Sequence, residues 1–121
     1  MSKVILVVED QEDNRRIMRD LLTSAGYEVI EAVTGEEGVA TAESQRPDLI
    51  LMDIQLPGLD GHEATRQIKA NPDLHHIPII VVTSYALSGD DVKAFEAGCD
   101  AYVSKPFSPR ALLAKIREYL P

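Results

Sequence analysis

Residues 4–10 read VILVVED, and this short segment indicates which kind of sheet the protein forms. Five apolar residues, three of them valine, are followed at once by the acids Glu9 and Asp10. A short run that is apolar at every position fits a strand with both faces covered by helices, as in a parallel sheet. Four similar segments recur along the chain, over residues 28–32, 49–52, 79–82 and 101–103. The sequence therefore predicts five strands separated by helical segments.

Helix signals lie between these strands. Gly26 follows the first helical stripe where a left-handed cap is expected, and that stripe comprises Ile17, Met18, Leu21, Leu22 and Ala25. Thr34 with Glu37 fits a capping box. Ser108 before Pro109 fits an N-cap with a first-turn proline. The remaining two helices are expected over about residues 61–70 and 90–97, before Asn71 and Gly98 respectively.

The order (βα)₅ predicts an α/β fold, a doubly wound, five-stranded parallel sheet with helices on both faces. Residues 28–32 alternate between polar and apolar, which favours an edge strand for this segment. The sequence leaves the order of the other strands open. In any such sheet the chemistry gathers at the carboxyl ends of the strands.

Length and composition exclude several classes of protein. The 121 residues suffice for one domain over residues 1–121, and 45% apolar with 26% charged residues excludes a disordered chain. A single cysteine and three scattered histidines give neither a disulfide nor a Cys/His zinc site. The net charge of −8 disfavours direct binding to nucleic acid or an anionic membrane. Without an apolar span or signal peptide, the protein is expected to be cytoplasmic.

Chemically active residues follow four of the five predicted strands. Glu9 and Asp10 follow the first strand, Asp53 the third, Thr83 the fourth and Lys105 the fifth. Any one of them alone is most simply a solvated loop residue. Because the carboxyl ends of parallel strands share one edge of the sheet, the set together indicates a functional site.

These residue types indicate phosphoryl chemistry supported by a metal. Three carboxylates in one crevice repel one another, and a hard divalent cation such as Mg²⁺ relieves that repulsion. A lysine supplies a point charge for a phosphate, and an aspartate is a known phosphoryl acceptor. The chain lacks the glycine-rich loops that hold nucleotides, so the phosphoryl group is expected to arrive on another molecule.

The sequence resembles the receiver domains of two-component response regulators, which include CheY-like and DivK-like single-domain proteins. The resemblance covers essentially the whole chain, and four segments carry it: VVEDQ (7–11), LILMDIQLPGLDG (49–61), VVTSYA (81–86) and GCDAYVSKPF (98–107). It implies the CheY-like, flavodoxin-like form of the fold. It also implies that Asp53 is the phosphoacceptor.

Further site residues are implied by the same resemblance. Asp10 and Asp53 would bind Mg²⁺ directly, Gln55 through its backbone carbonyl and Glu9 through water. Lys105 would pair with the phosphoryl group.

The resemblance also implies a switch. Thr83 would turn its hydroxyl toward the phosphoryl group, and the aromatic Tyr102 would then turn inward. The surface of the protein would change in consequence.

The function that the resemblance implies is phosphorelay signalling. The phosphoryl donor would be a sensor histidine kinase or a histidine phosphotransfer protein, and the chain would catalyse only its own phosphorylation and dephosphorylation. Phosphorylation is expected to promote either binding of a downstream protein target or formation of a homodimer through the surface of residues 86–121, which carry five acids and five bases. With no output domain after the last helix, a stand-alone regulator is expected.

Two alternatives remain at this stage. The first is a small phosphatase or hydrolase with an aspartyl-phosphate intermediate, but such enzymes commonly have Asp-x-Asp where this chain has Asp53, Ile54 and Gln55. The second is an interaction module with a vestigial site, which the intact acids, Thr83 and Lys105 oppose.

Overall fold

The computed structural model describes residues 2–83, 90–104 and 107–121, which form strands and helices in strict alternation. In chain order they are β1 (Val4–Val8), α1 (Glu12–Ser24), β2 (Glu28–Ala32), α2 (Gly35–Gln45), β3 (Leu49–Met52), α3 (Gly61–Ala70), β4 (Ile79–Thr83), α4 (Asp90–Ala97), β5 (Ala101–Ser104) and α5 (Pro109–Tyr119). Within the described residues, no helix has the length and apolarity to cross a lipid bilayer. The predicted (βα)₅ order is confirmed.

The five strands form one parallel sheet in the order β2-β1-β3-β4-β5. Val8, the last residue of β1, lies between Ala32 of β2 and Met52 of β3. The prediction that β2 is an edge strand is confirmed. The chain runs outward from β1 to β2 and then returns to β3, so the topology switches direction between β1 and β3. In sheets of this kind such a switch point opens a crevice at the carboxyl ends of the strands.

Successive residues of the central strands point to opposite faces of the sheet and are buried in two separate apolar clusters. Leu6, Ile50 and Val81 point into a cluster with α2, α3 and α4. Their neighbours Val7 and Leu51 point to the opposite face, where Met18 and Leu22 of α1 join Leu112 and Ile116 of α5. Because both faces of the central strands are covered, these strands are apolar at nearly every position, as VILVV in β1 is.

The helix ends follow the predicted signals. Gly26 has φ +95° directly after the end of α1, a backbone conformation that favours glycine. The hydroxyl of Thr34 accepts from the backbone N–H of Glu37 at 3.0 Å, so the cap of α2 is confirmed. The Glu37 carboxylate, however, accepts from the N–H of Val33 at 3.0 Å, one residue before the cap. Ser108 caps α5 by accepting from the N–H of Ala111 at 3.1 Å.

The sequence pattern places Ile17 on the apolar stripe of α1, and for this residue the prediction is wrong. Ile17 is 58% exposed, whereas Met18 and Leu22 are buried. Ile17 occupies the margin of the stripe, about 100° around the helix from Met18. Helical spacing identifies the apolar side of a helix but does not show how far the neighbouring elements extend to cover it.

Cys99, the single cysteine of the chain, has a structural position. Its side chain is buried just before β5, and burial is the main reason that the pKa of its thiol rises to about 11. The negative charge of Asp100 raises that pKa further. At neutral pH the thiol is therefore protonated and a poor nucleophile.

The loop between β3 and α3 is held by close backbone contacts. A side chain at Gly61 would overlap the carbonyl oxygen of Asp53, and one at Gly35 would overlap that of Leu59. The carboxylate of Glu36, in the first turn of α2, accepts from the N–H of Leu59 at 3.2 Å. The loop that follows β3 is thus packed between the first turns of α2 and α3.

We predict that Gly61→Ala displaces the backbone at Asp53 and destabilises the protein by about 1–3 kcal/mol, because the added Cβ overlaps a main-chain oxygen. The matched control is Gly26→Ala, which meets no atom within 4 Å and is strained only by its φ of +95°. That control should cost about 1–2 kcal/mol.

Urea unfolding and backbone amide NMR shifts distinguish the two variants. Gly61→Ala should move the amide signals of residues 53–55, and Gly26→Ala should leave them in place. Unmoved signals in both variants would contradict the tight contact between Gly61 and Asp53.

Candidate functional site

The sheet brings the acidic ends of β1 and β3 side by side. The N–H of Asp53 donates to the carbonyl of Val8 at 3.1 Å, and the N–H of Glu9 donates to that of Ala32 at 3.0 Å. Both residues therefore continue the hydrogen-bonding pattern of the sheet by one step beyond their strands. Their positions follow from strand pairing, so the sheet itself holds these two backbones in place.

Three carboxylates converge at this point. One oxygen each of Glu9, Asp10 and Asp53 lies within 4.8 Å of the others. Glu9 is fully buried, Asp53 is 7% exposed, and Asp10 is half-buried at the mouth of the cluster. Negative charges this close and this poorly hydrated repel one another strongly. Among the described residues the cluster consists of carboxylates alone, and oxygen donors of this kind fit Mg²⁺ rather than zinc.

Local backbone groups orient two of these carboxylates. The N–H of Gln11 donates to Oε2 of Glu9 at 3.1 Å, and the N–H of Gln55 donates to Oδ1 of Asp53 at 3.2 Å. Side-chain to backbone bonds over two residues are typical of tight turns. In both cases the chain turns directly after the acid. The Gln55 side chain itself is exposed.

Arg15 contacts this site although the sequence reasoning did not single it out. Its guanidinium Nη1 donates to the carbonyl of Glu9 at 3.0 Å and to that of Asp10 at 3.1 Å. The Nε atom of the same side chain lies 3.4 Å from the carboxylate of Glu31 on β2. The available signal was the position of Arg15, one helical turn after Gln11, on a helix that begins in the acidic loop.

The other predicted site residues lie on the neighbouring strands. Thr83 is fully buried at the end of β4 and pairs with Ser104 of β5. Tyr102 is paired with Val81 and is half-buried against the cluster beneath α2, α3 and α4. Lys105 lies outside the described residues. The structure thus brings together the three acids at the same sheet edge at which β4 presents Thr83.

The arrangement suits acceptance of a phosphoryl group on a carboxylate. Asp53 lies among other acids, and phosphoryl transfer depends on positioning and charge stabilisation more than on a general base. His75 and His76 are exposed in the loop before β4 and lie on no site described here.

Comparison with known proteins identifies a family. Residues 5–117 match the model of the response regulator receiver domain. The chain is 45% identical over 120 residues to the polar-differentiation response regulator DivK of Brucella anthropi, covering 99% of this chain and 98% of that protein.

Solved structures agree with this assignment. The receiver domain of the sensor histidine kinase PA1611 from Pseudomonas aeruginosa PAO1, with a magnesium ion coordinated in its active-site cleft, aligns with a TM-score of 0.92 at 39% identity, covering 99% of this chain and 98% of that one. The chemotaxis protein CheY4 of Vibrio cholerae aligns with a TM-score of 0.91 at 27% identity, covering 98% and 99%. None of these matches supports the phosphatase alternative. The chain therefore belongs to the response regulator receiver domain family, and its function lies in two-component signalling.

Proposed function

We propose that Asp53 accepts a phosphoryl group from the phosphohistidine of a sensor histidine kinase or a histidine phosphotransfer protein. The observation that carries this proposal is the buried carboxylate of Asp53, held at the end of β3 within 4.8 Å of two other acids. Because phosphohistidine is made from ATP, the proposal also assigns the chain to the cytoplasm.

Phosphoryl transfer to Asp53 requires little general acid–base catalysis from the protein. A carboxylate oxygen of Asp53 attacks phosphorus, an O–P bond forms, and the P–N bond to the donor histidine breaks. The electron pair of that bond passes to the imidazole nitrogen. Since Asp53 attacks as an anion, no base is required. The N–H of Gln55, which donates to Oδ1 of Asp53 at 3.2 Å, helps to orient the attacking carboxylate.

The acid cluster fits Mg²⁺ through its all-oxygen donor set. We assign Asp10 and Asp53 as direct ligands, Gln55 as a ligand through its backbone carbonyl, and Glu9 as a residue that acts through water. When bound, the metal neutralises charge on the acceptor and on the transferring oxygens. The magnesium ion in the cleft of the similar receiver domain of PA1611 supports this assignment.

The remaining site residues would stabilise the phosphorylated state. Lys105 would pair with the phosphoryl group, and Thr83 would donate its hydroxyl to it. Tyr102 would then turn inward, because Thr83 and Tyr102 lie on adjacent strands. Catalysis is confined to the phosphorylation and dephosphorylation of the chain itself, and no acid follows Asp53 at the second position, where Gln55 stands.

We predict that a small acyl or amido phosphate donor adds one phosphoryl group to the wild type in the presence of Mg²⁺, and none to Asp53→Asn. Asp60→Asn is the matched control, because this exposed N-cap of α3 accepts from Glu63 at 2.9 Å and asparagine caps equally well. Intact mass at neutral pH, measured before the acyl phosphate hydrolyses, gives the answer. An adduct on Asp53→Asn, or one formed equally well in EDTA, would contradict the proposal.

The output surface would be formed by α4, β5 and α5. On α4, Val92 is 55% exposed and Phe95 is 52% exposed. Charges of both signs lie on α4 and α5, including the pair of Lys115 and Glu118 on α5 at 3.1 Å. An apolar centre with a mixed polar rim is typical of protein interfaces. We propose that phosphorylation changes the affinity of this surface for a downstream protein or a second copy of the chain.

We predict that beryllofluoride, a phosphoryl mimic, changes hydrogen-exchange protection in residues 90–104 of the wild type but not of Thr83→Ala, because in the proposed switch the Thr83 hydroxyl would transmit the change from the site to β5. Thr65→Ala is the matched control, since Thr65 is also fully buried but lies on α3. Thr83→Ala should still be phosphorylated. A response of Thr83→Ala equal to that of the wild type would contradict the coupling.

A further inference from the structure

We infer that Arg15 is a positioning residue that sets the Mg²⁺ affinity of the site by holding the backbone of the β1–α1 loop. The inference rests on the proposed magnesium site. The role belongs to the guanidinium of Arg15, which is not a metal ligand and which contacts the backbone carbonyls of Glu9 and Asp10 instead of their carboxylates.

The contacts of Arg15 tie three elements together. One nitrogen, Nη1, donates to the carbonyls of both Glu9 and Asp10, at 3.0 and 3.1 Å. These are the two consecutive residues that carry acids of the cluster. The other side of the guanidinium is anchored, because Nε lies 3.4 Å from Oε1 of Glu31 on β2. The Arg15 side chain is only 16% exposed, so its planar fork is held in one orientation by α1 and β2.

The loop needs this anchor at Asp10 more than at Glu9. Glu9 is bonded into the sheet through the carbonyl of Ala32, whereas Asp10 lies one residue further from the strand. The bond from Nη1 to the Asp10 carbonyl extends that support to the second acid. A metal ligand whose backbone is held before binding loses less conformational freedom on binding, so the affinity is higher.

The direction in which Mg²⁺ affinity changes when Arg15 is replaced distinguishes the effect of its charge from the effect of its contacts with the backbone. A guanidinium near the site repels an incoming cation, so removal of the charge alone would tighten Mg²⁺ binding. Removal of the backbone anchor would weaken it. The two effects act in opposite directions, and our inference is that the anchor dominates.

Arg19 provides a matched control on the same helix. Its Nη1 contacts the same carboxylate, Glu31, at 3.1 Å from Oε2. Among the described residues it donates no hydrogen bond to the β1–α1 loop. It is more exposed than Arg15, with 44% of its side chain accessible. Loss of Arg19 therefore removes a cation and an ion pair to Glu31 without loss of the loop contacts.

The experiment is a Mg²⁺ titration of the full chain followed by backbone amide NMR shifts. Wild type, Arg15→Met, Arg15→Lys and Arg19→Met are compared, with urea unfolding to verify that each is folded. We expect Arg15→Met to bind Mg²⁺ about tenfold more weakly than the wild type, as is common when a group that orients metal ligands is removed. Arg19→Met should stay within about twofold, because exposed ion pairs contribute little. Arg15→Lys keeps the positive charge but lacks the planar guanidinium group, and it should bind Mg²⁺ more weakly than the wild type.

Each outcome is decisive. Equal or tighter binding by Arg15→Met would overturn the inference, since only the charge would then matter. Wild-type affinity in Arg15→Lys would overturn it in the same way, and this variant keeps the test open if Arg15→Met fails to fold. A wild type with no shifts in residues 9–11 and 53–55 would instead overturn the proposed magnesium site, and the inference with it.

Discussion

Three carboxylates lie within 4.8 Å of one another at one edge of a parallel sheet, and their mutual repulsion governs how the surrounding loops and strands are built. Two of the three are almost without access to water, so solvent screens their charges poorly. The fold tolerates this arrangement because strand pairing leaves the backbones of Glu9 and Asp53 no other position. In the proposed function, a bound cation relieves this repulsion, which is why a site built in this way favours one.

The surrounding structure keeps that repulsion from being relieved by movement. The strands are buried on both faces, and the apolar clusters beneath the two helical layers allow little displacement. Glu36 and the first turn of α2 hold the loop after Asp53, and Arg15 holds the loop that carries Asp10. The carboxylates therefore stay close together, and a bound cation would relieve their repulsion.

The sequence predicts much of the fold and of the site, because both depend on short local patterns. The apolar strands, the Thr34 and Ser108 caps and the glycine ends of α1 and α4 each need only a few adjacent residues, and all agree with the structure. The acids could be assigned to one sheet edge because they directly follow strands. Family likeness added their proposed roles.

What the sequence could not supply depends on contacts distant along the chain. The strand order rests on pairing between β1 and β3, which are separated by β2 and two helices. The exposure of Ile17 depends on where neighbouring elements end. Arg15 looks like an ordinary helix-surface cation until β2 brings Glu31 beside it. Each of these features depends on residues that are neighbours in space but distant in sequence, so local periodicity cannot predict it.

The free energy of unfolding of the wild type and of Asp10→Asn, measured in urea with EDTA and with Mg²⁺, tests whether repulsion among the acids controls the site. If repulsion among the acids is the controlling interaction, Asp10→Asn is more stable than the wild type in EDTA, because one of the three charges is gone. Mg²⁺ at ten times its Kd should then stabilise the wild type by about 1.4 kcal/mol and the variant by much less. A variant less stable than the wild type in EDTA, or a wild type whose stability does not respond to Mg²⁺, would contradict the account.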